Sequence, residues 1–134
     1  MRPEDRLSEY FTLGEFQHSN TAVRLCIKNE MTAGQIKNAQ ALCKNVLDLI
    51  RDHYDRAVII SSGFRSEALN KAIGGATTSQ HSIGQAADFT VNGVTVEQVF
   101  KDIKDGKIAG LKYDQLIHEG TWIHIRSEEH TSEL

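Results

Sequence analysis

The strongest hydrophobic pattern in the chain lies between residues 32 and 53. Apolar side chains recur there at three- and four-residue intervals, at Ile36, Ala39, Cys43, Val46, Leu47 and Ile50. Thr32 and Gln35 have the spacing of a capping box, in which each side chain accepts a backbone N–H at the start of a helix. This pattern predicts an amphipathic helix that begins after Thr32 and ends near His53.

Three shorter helices are predicted, over residues 21–26, 67–73 and 96–103. Ser66 caps the second of them, and a Gly-Gly pair ends it. Thr95 and Gln98 form another capping box at the start of the third. The rest of the segment between residues 12 and 31 has mixed character and favours a loop.

Short runs that are β-branched, or that alternate apolar and polar residues, predict four strands, at residues 57–60, 86–91, 113–118 and 121–125. The last two strands are joined tightly around Glu119 and Gly120, and Asn92 with Gly93 is typical of a hairpin turn. Because helices come first and strands concentrate later, the order predicts an α+β fold with a small, mainly antiparallel sheet. Core positions are assigned to Phe64, Phe89, Leu116, Ile123 and residues 58–60.

The composition is that of one globular domain. The chain has 134 residues, 40% of them hydrophobic and 25% charged, and a chain of this size buries about two thirds of its unfolded surface. An apolar run of the ~18 residues that a transmembrane helix needs is absent. A net charge of -3 argues against nucleic-acid binding, which normally uses a basic face. We therefore expect a monomer with no membrane span and no nucleic-acid partner.

The last nine residues, 126–134, differ in character from the run before them. They read RSEEHTSEL, are polar, and follow the predicted strand with no turn or linker between. This peptide is the translation of the start of a common sequencing adapter. Our hypothesis is that residues 126–134 are adapter-derived and that residues 1–125 form the domain, truncated at its C-terminus; a native solvated tail is the alternative.

Two histidines and a carboxylate form a candidate metal site. His81 and Asp88 bracket a short loop, and His124 follows on a predicted strand. Two imidazoles and one carboxylate suit a catalytic Zn²⁺, which takes three protein ligands and leaves a fourth position for water. Glu119 lies just before His124, where it could accept a proton from that water. By spacing alone, ordinary surface or core placement of these histidines is the more frequent outcome.

A longer motif makes the prediction of this metal site more specific. The run SSGFRSEALNKAIGGATTSQHSIGQAADF, followed by YDQLIHEGTWIHI, resembles the zinc D-Ala-D-Ala carboxypeptidases and phage endolysin peptidases that share a fold with the hedgehog signalling domain. The signature S-x-H-x-x-G-x-A-x-D is present at Ser79, His81, Gly84, Ala86 and Asp88. The resemblance covers most of residues 10–125. It implies a hedgehog/DD-peptidase-like fold with flanking helices and a zinc cleft.

The resemblance also implies residue roles. His81, Asp88 and His124 would bind one Zn²⁺, and Glu119 would be the general base. Arg65 would stabilise the developing oxyanion or hold a substrate carboxylate, since its guanidinium is always charged and fork-shaped.

Two further residues are expected near the substrate. Ser79 would hydrogen-bond substrate or shape the loop that presents His81. Some relatives have a compact E-x-W-H spacing, whereas this chain has Glu119-Gly-Thr-Trp-Ile-His124. Strand alternation then places Trp122 on the face of His124, where it would wall the cleft.

The function that follows from the resemblance is hydrolysis of peptide bonds in bacterial peptidoglycan. The expected substrates are stem peptides containing D-amino acids, cut at the terminal D-Ala-D-Ala bond or at an internal bond. The first residues are charged and lack the apolar segment of a secretory signal, which favours a phage or prophage lysin made in the cytoplasm and released to the cell wall. A truncated or leaderless cell-wall enzyme is the alternative. The alternatives are an inactive zinc-binding module of the same fold that binds cell wall or a partner, and a fragment inactivated by a missing C-terminus.

Other polar residues receive ordinary interpretations. Cys26 and Cys43 lack metal or redox spacing and are predicted to be buried, reduced thiols. His18 and His53 are predicted to be solvated. His118 is more often a packing residue than a ligand. Asp114 and Gln115 are predicted either to support the sheet or to orient a ligand imidazole, and plain surface placement is the alternative.

Overall fold

The computed structural model describes residues 2–75 and 83–127 and has an α+β architecture. Its helices are α1 (Leu13–Gln17), α2 (Asn20–Arg24), α3 (Ala33–Leu42), α4 (Asp48–Tyr54), α5 (Glu67–Ala72) and α6 (Val96–Lys104). Its strands are β1 (Val58–Ser62), β2 (Ala86–Val91), β3 (Gln115–His118) and β4 (Ile123–Arg126). The predicted fold class, a small antiparallel sheet with flanking helices, is confirmed.

The predicted long helix is present, with one irregular turn in its middle. Helices α3 and α4 are continuous through a π-helical segment, Cys43–Leu47, in which the Asp48 N–H bonds to the Cys43 carbonyl. Thr32 and Gln35 form the expected capping box, with the Gln35 N–H 3.3 Å from Thr32 Oγ1. The helix buries the predicted apolar face, of which Ala39, Cys43, Val46, Leu47 and Ile50 are at most 1% exposed.

The sheet has the order β1-β2-β4-β3, and every neighbouring pair is antiparallel. Asp88 on β2 is the cross-strand partner of His124 on β4, although 36 residues separate them. Ser62 faces Asp88 from β1, after an irregularity in that strand, and Ile117 faces His124 from β3. The register therefore places four residues in one row across the sheet.

Three details of the strands differ from the prediction. Asn92 and Gly93 form a turn, but this turn leads from β2 into α6 rather than into a second strand. Strand β3 starts at Gln115, and β4 runs from Ile123 to Arg126. Ile59 is 52% exposed, against the expectation of a buried run. The reason is that β1 is an edge strand whose residues alternate between the core and the solvent face.

The apolar core lies between the sheet and the helices. Phe64, Phe89 and Ile123 are buried as predicted, and Leu116 is partly buried against the same cluster. None of the helices within the described ranges is long and apolar enough to cross a membrane.

The two cysteines have different environments. Cys43 is buried in the long helix, where burial raises the pKa of its thiol. Cys26 is exposed, which contradicts its predicted burial. It follows the end of α2 with a left-handed φ of 55°, so it belongs to a chain reversal on the surface rather than to a helix face.

Helix α1 was not predicted. A single turn of five residues is too short to show hydrophobic periodicity, but Thr12 and Glu15 form a capping box that marks its start. Its Phe16 is completely buried. Helix α2 occupies Asn20–Arg24, close to the short helix predicted over residues 21–26.

Candidate active site

Asp88 and His124 form the centre of the candidate site. Adjacent antiparallel strands carry them as direct cross-strand partners. His124 Nδ1 lies 2.9 Å from Asp88 Oδ1, and the side chains are only 15% and 14% exposed, respectively. The fold therefore holds an imidazole and a carboxylate in contact in a largely desolvated place.

This pair has the chemistry and the spacing of two zinc ligands. An imidazole nitrogen and a carboxylate oxygen each bind Zn²⁺ at about 2.0–2.2 Å, so two such atoms on one ion lie at most roughly 4 Å apart. The observed 2.9 Å satisfies this limit. Within residues 2–75 and 83–127, no three His, Cys, Asp or Glu side chains form a group that could hold a metal ion. The predicted third ligand, His81, and the predicted substrate residue Ser79 lie outside the described residues.

Gln115 contacts the opposite edge of the His124 ring. Its Oε1 lies 3.1 Å from His124 Nε2. Of the two roles predicted for this residue, the structure therefore supports contact with the imidazole. Its neighbour Asp114 instead contacts Arg126, with 3.9 Å between carboxylate and guanidinium and a backbone N–H donated to the Arg126 carbonyl.

Two serines of β1 border the carboxylate side of the pair. Ser62 is the cross-strand partner of Asp88, and Ser61 Oγ donates to the Asp88 backbone carbonyl at 3.2 Å. The sequence pattern did not single them out, although they directly precede the G-F-R-S motif.

Arg65 lies close enough to Asp88 for their charges to interact. Burial lowers the pKa of its guanidinium, and the negative charge of Asp88 raises it. Nη1 donates to Asn70 Oδ1 at 3.3 Å, whereas the buried Nε has no hydrogen-bond partner among the described residues. Arg65 thus brings a positive charge with spare donor capacity next to the Asp88–His124 pair.

The loop that carries this arginine is fixed to the N-terminal part of the chain. The Phe64 N–H donates to the Phe16 carbonyl at 2.7 Å. Asn29 donates through Nδ2 to the carbonyls of Gln17 (2.7 Å) and Phe64 (3.1 Å). Its Oδ1 also accepts the Ser66 N–H at 2.7 Å. One amide side chain therefore connects three segments.

A cavity of about 250 Å³ lies on the Arg65 side of the pair. Residues 18–21 form one polar wall, Ser61 and Ser62 form another, and Leu69 with Ile73 adds apolar surface. Ser62, the cross-strand partner of Asp88, lines the cavity, whereas Asp88 itself does not. Its mixed lining suits a short peptide segment, which has both polar backbone and apolar side chains.

Glu119 lies in the turn between β3 and β4. Its N–H donates to the Trp122 carbonyl at 3.0 Å, which closes the turn, and its side chain is exposed. Arg65 lies past the end of β1, on one side of the row that contains Asp88. Glu119 lies past the end of β3, on the other side of the same row. The arginine and the glutamate therefore lie on opposite sides of the pair along the strands.

His118 supports this turn. Its Nδ1 accepts the Gly120 N–H at 3.0 Å, and its Nε2 lies 3.4 Å from Glu97 Oε1. Its ring makes an edge contact with Phe100, with 5.5 Å between the ring centroids. These contacts give His118 a packing role between the turn and α6.

Trp122 and Ile117 lie beside His124. Strand β4 begins at Ile123, so Trp122 belongs to the turn and not to the strand that was predicted to carry it. It is 37% exposed, and Ile117, the cross-strand partner of His124, is 36% exposed. The pattern did not identify Ile117 because its position opposite His124 depends on the hairpin register. His18 and His53 are exposed, as predicted.

The site thus combines an Asp–His pair on a small antiparallel sheet with an arginine and a neighbouring cavity of about 250 Å³. The family model for Peptidase M15 matches residues 9–126. The chain therefore belongs to the Peptidase M15 family, and the resemblance inferred from its motifs is confirmed. Members of this family are peptidases and are generally zinc-dependent. A comparison with curated proteins gave no match.

Proposed function

We propose that this chain is a zinc peptidase that hydrolyses peptide bonds in bacterial peptidoglycan. The contact between Asp88 and His124, 2.9 Å apart and largely buried, is the observation that carries the proposal. Membership of the Peptidase M15 family supports the peptidase activity. The resemblance to cell-wall carboxypeptidases and endolysins supports the substrate class.

The proposed metal ligands are Asp88, His124 and His81. A zinc ion bound there would polarise the scissile carbonyl and lower the pKa of a bound water. The protein contributes the fixed geometry of these ligands, because two of them are paired across neighbouring strands and cannot separate without breaking the sheet. Their low exposure also strengthens electrostatic interactions within the site.

Glu119 is the proposed general base. Its carboxylate can accept the proton of the attacking water and deliver it to the departing amine. The turn that carries it is held by the backbone bond to Trp122 and by His118. Trp122 would form one wall of the cleft.

Arg65 is the proposed electrostatic stabiliser. As the scissile carbonyl becomes tetrahedral, negative charge develops on its oxygen, and a preorganised guanidinium stabilises that charge. The same group can bind a substrate carboxylate through two parallel hydrogen bonds. Ser79, next to the predicted metal ligand His81, would hydrogen-bond the substrate.

The proposed substrates are peptidoglycan stem peptides with D-amino acids, cut at the terminal or at an internal bond. The role closest to the resemblance is that of a phage or prophage lysin that acts on the cell wall after release. The mixed polar and apolar lining of the 250 Å³ cavity is compatible with a short peptide.

The test is incubation of the zinc-loaded chain with purified peptidoglycan, followed by quantification of new amino termini and free D-Ala. We expect release that EDTA abolishes and that zinc restores. Free D-Ala would identify a carboxypeptidase, and internal amino termini an endopeptidase. Cell-wall binding without release beyond the EDTA control would contradict the proposal and favour a non-catalytic zinc-binding module.

A further inference from the structure

The His124 ring is contacted at both of its nitrogens by oxygen atoms. Nδ1 lies 2.9 Å from Asp88 Oδ1, and Nε2 lies 3.1 Å from Gln115 Oε1. A carboxylate oxygen and an amide oxygen are both hydrogen-bond acceptors. A neutral imidazole has only one N–H, so it can donate to only one of the two.

The Gln115 contact favours a proton on Nε2, because the amide oxygen is an acceptor. If Nε2–H donates to the amide oxygen, Nδ1 presents its lone pair towards Asp88. Two acceptors then face each other at 2.9 Å, an arrangement that a cation between them stabilises. If Nδ1–H donated to Asp88 instead, the pair would be an ordinary hydrogen bond and Nδ1 could not bind a metal.

The strand register explains why Gln115 can make this contact. Ile117 is directly opposite His124 on β3, and Gln115 is two residues earlier on the same strand. Residues two apart on a strand lie on the same face, and a diagonal neighbour is within reach of a long side chain. A glutamine at this position therefore reaches the far edge of the ring.

We propose that Gln115 is a positioning residue that holds His124 in its Nε2–H tautomer and so presents Nδ1 for metal binding. The proposal rests on the proposed zinc site. A partner on the second nitrogen of a ligand histidine fixes both the tautomer and the plane of the ring.

The test compares Gln115→Met, which keeps the length but removes the acceptor, with Gln115→Glu, which keeps an acceptor. Long-range ¹H–¹⁵N spectra of the zinc-free protein report the tautomer of His124, and chelator competition gives the Kd for zinc. For Gln115→Met we expect a larger fraction of the Nδ1–H tautomer than in wild type and a zinc Kd weaker by about 10–100-fold. For Gln115→Glu we expect the wild-type tautomer and zinc binding at least as tight as wild type.

Gln98→Leu is the matched control, because Gln98 also bonds to another side chain, Asp102 (2.7 Å), but lies on α6. It should change stability without changing the His124 tautomer or the zinc Kd. Wild-type tautomer and zinc affinity in Gln115→Met would overturn the proposal. If that variant does not fold, a larger Nδ1–H fraction in Gln115→Glu than in wild type would overturn it.

These readouts need no substrate, so the two proposals can fail separately. Absence of peptidoglycan cleavage with the expected tautomer and zinc effects would contradict the peptidase function alone. Cleavage with no effect of Gln115→Met would contradict the positioning role alone.

Discussion

Arg65 combines a permanent charge with a half-buried position. Burial lowers the pKa of its guanidinium, and nearby Asp88 raises it, but an arginine remains charged in either case. The group is anchored at Nη1 by Asn70, which leaves the rest of its planar donor fork for another partner. We therefore expect the planar shape of the guanidinium, as well as its charge, to contribute to the proposed stabilisation of an oxyanion.

Arg65→Lys is expected to lower kcat by about 10²-fold, because an ammonium keeps the charge but lacks the fork that stabilises an oxyanion. Release of amino termini from peptidoglycan measures the effect. Arg51→Lys is the control, since Arg51 packs on Tyr10 and pairs with Asp55 on the surface. Equal rates for wild type and Arg65→Lys would rule out the proposed role.

Glu119→Gln is expected to lower kcat by about 10²–10⁴-fold, because the amide cannot accept a proton. Zinc binding should be unchanged, since Glu119 is not a proposed ligand. The measurement pairs the cleavage rate with the zinc content of the purified variant. Full activity with zinc bound would show that another group is the base.

The residues of the candidate site differ in how far the sequence could reveal them. The motif with His81 and Asp88 is specific enough to predict ligands from the chain alone. Gln115 was predicted only as one of a pair with two possible roles, and Ile117 was not identified. Both depend on the register of the β3–β4 hairpin, which the length and geometry of the turn determine.

At the scale of elements, the N-terminal helices act as a brace for the loop that carries Arg65. Asn29 joins α1 to the loop through two donated hydrogen bonds and one accepted from Ser66. The segment before α3 thus positions Arg65 although it is distant in sequence.

Asn29→Ala is expected to lower the free energy of unfolding by about 2–3 kcal/mol, at about 1 kcal/mol for each lost hydrogen bond. It should also reduce cleavage, because the loop with Arg65 loses its anchor. Urea unfolding measures the first effect. Asn45→Ala, at an exposed helical position, is the control and should change stability by less than about 0.5 kcal/mol. A similarly small change in the free energy of unfolding for Asn29→Ala would show that Asn29 does not anchor the loop that carries Arg65.

Capped and strongly periodic elements could be predicted, and short or irregular ones could not. The helix after Thr32 begins with the expected capping box. The helix after Thr95 also begins where predicted, with the Gln98 N–H donated to Thr95 Oγ1, but the Gln98 side chain bonds to Asp102 instead of completing the box. Helix α1 has a single turn, so its apolar residues show no period. The π-helical turn at Cys43–Leu47 preserves the apolar face of the long helix, and the hydrophobic pattern alone does not reveal it.

At the scale of the molecule, sheet order brings the site together. Asp88 and His124 are on the two central strands, β2 and β4, whereas Arg65 and Glu119 are on connecting loops. A rigid centre with functional groups on loops is common in enzymes.

Asp102 is expected to make the stability of the whole domain fall at acid pH. Burial raises the pKa of its carboxyl, but hydrogen bonds from Tyr54 and Gln98 and the charge of Lys107 outweigh this, so its pKa is lowered from 3.8. A depressed pKa contributes stability that is present above the unfolded pKa and is lost as the pH falls through the folded one. Urea unfolding of wild type should therefore lose more free energy from pH 5 to pH 2.5 than Asp102→Asn does. The same loss in both proteins would contradict this role.

We propose that one zinc ion, held by His81, Asp88 and His124, makes this chain a peptidoglycan peptidase. The release of new amino termini from peptidoglycan, measured as zinc is added to the metal-stripped chain, tests this proposal. Activity should rise from zero and saturate at one zinc per chain in wild type, whereas His124→Ala should stay inactive over the same range. No release at any zinc concentration, or equal release by His124→Ala, would contradict it.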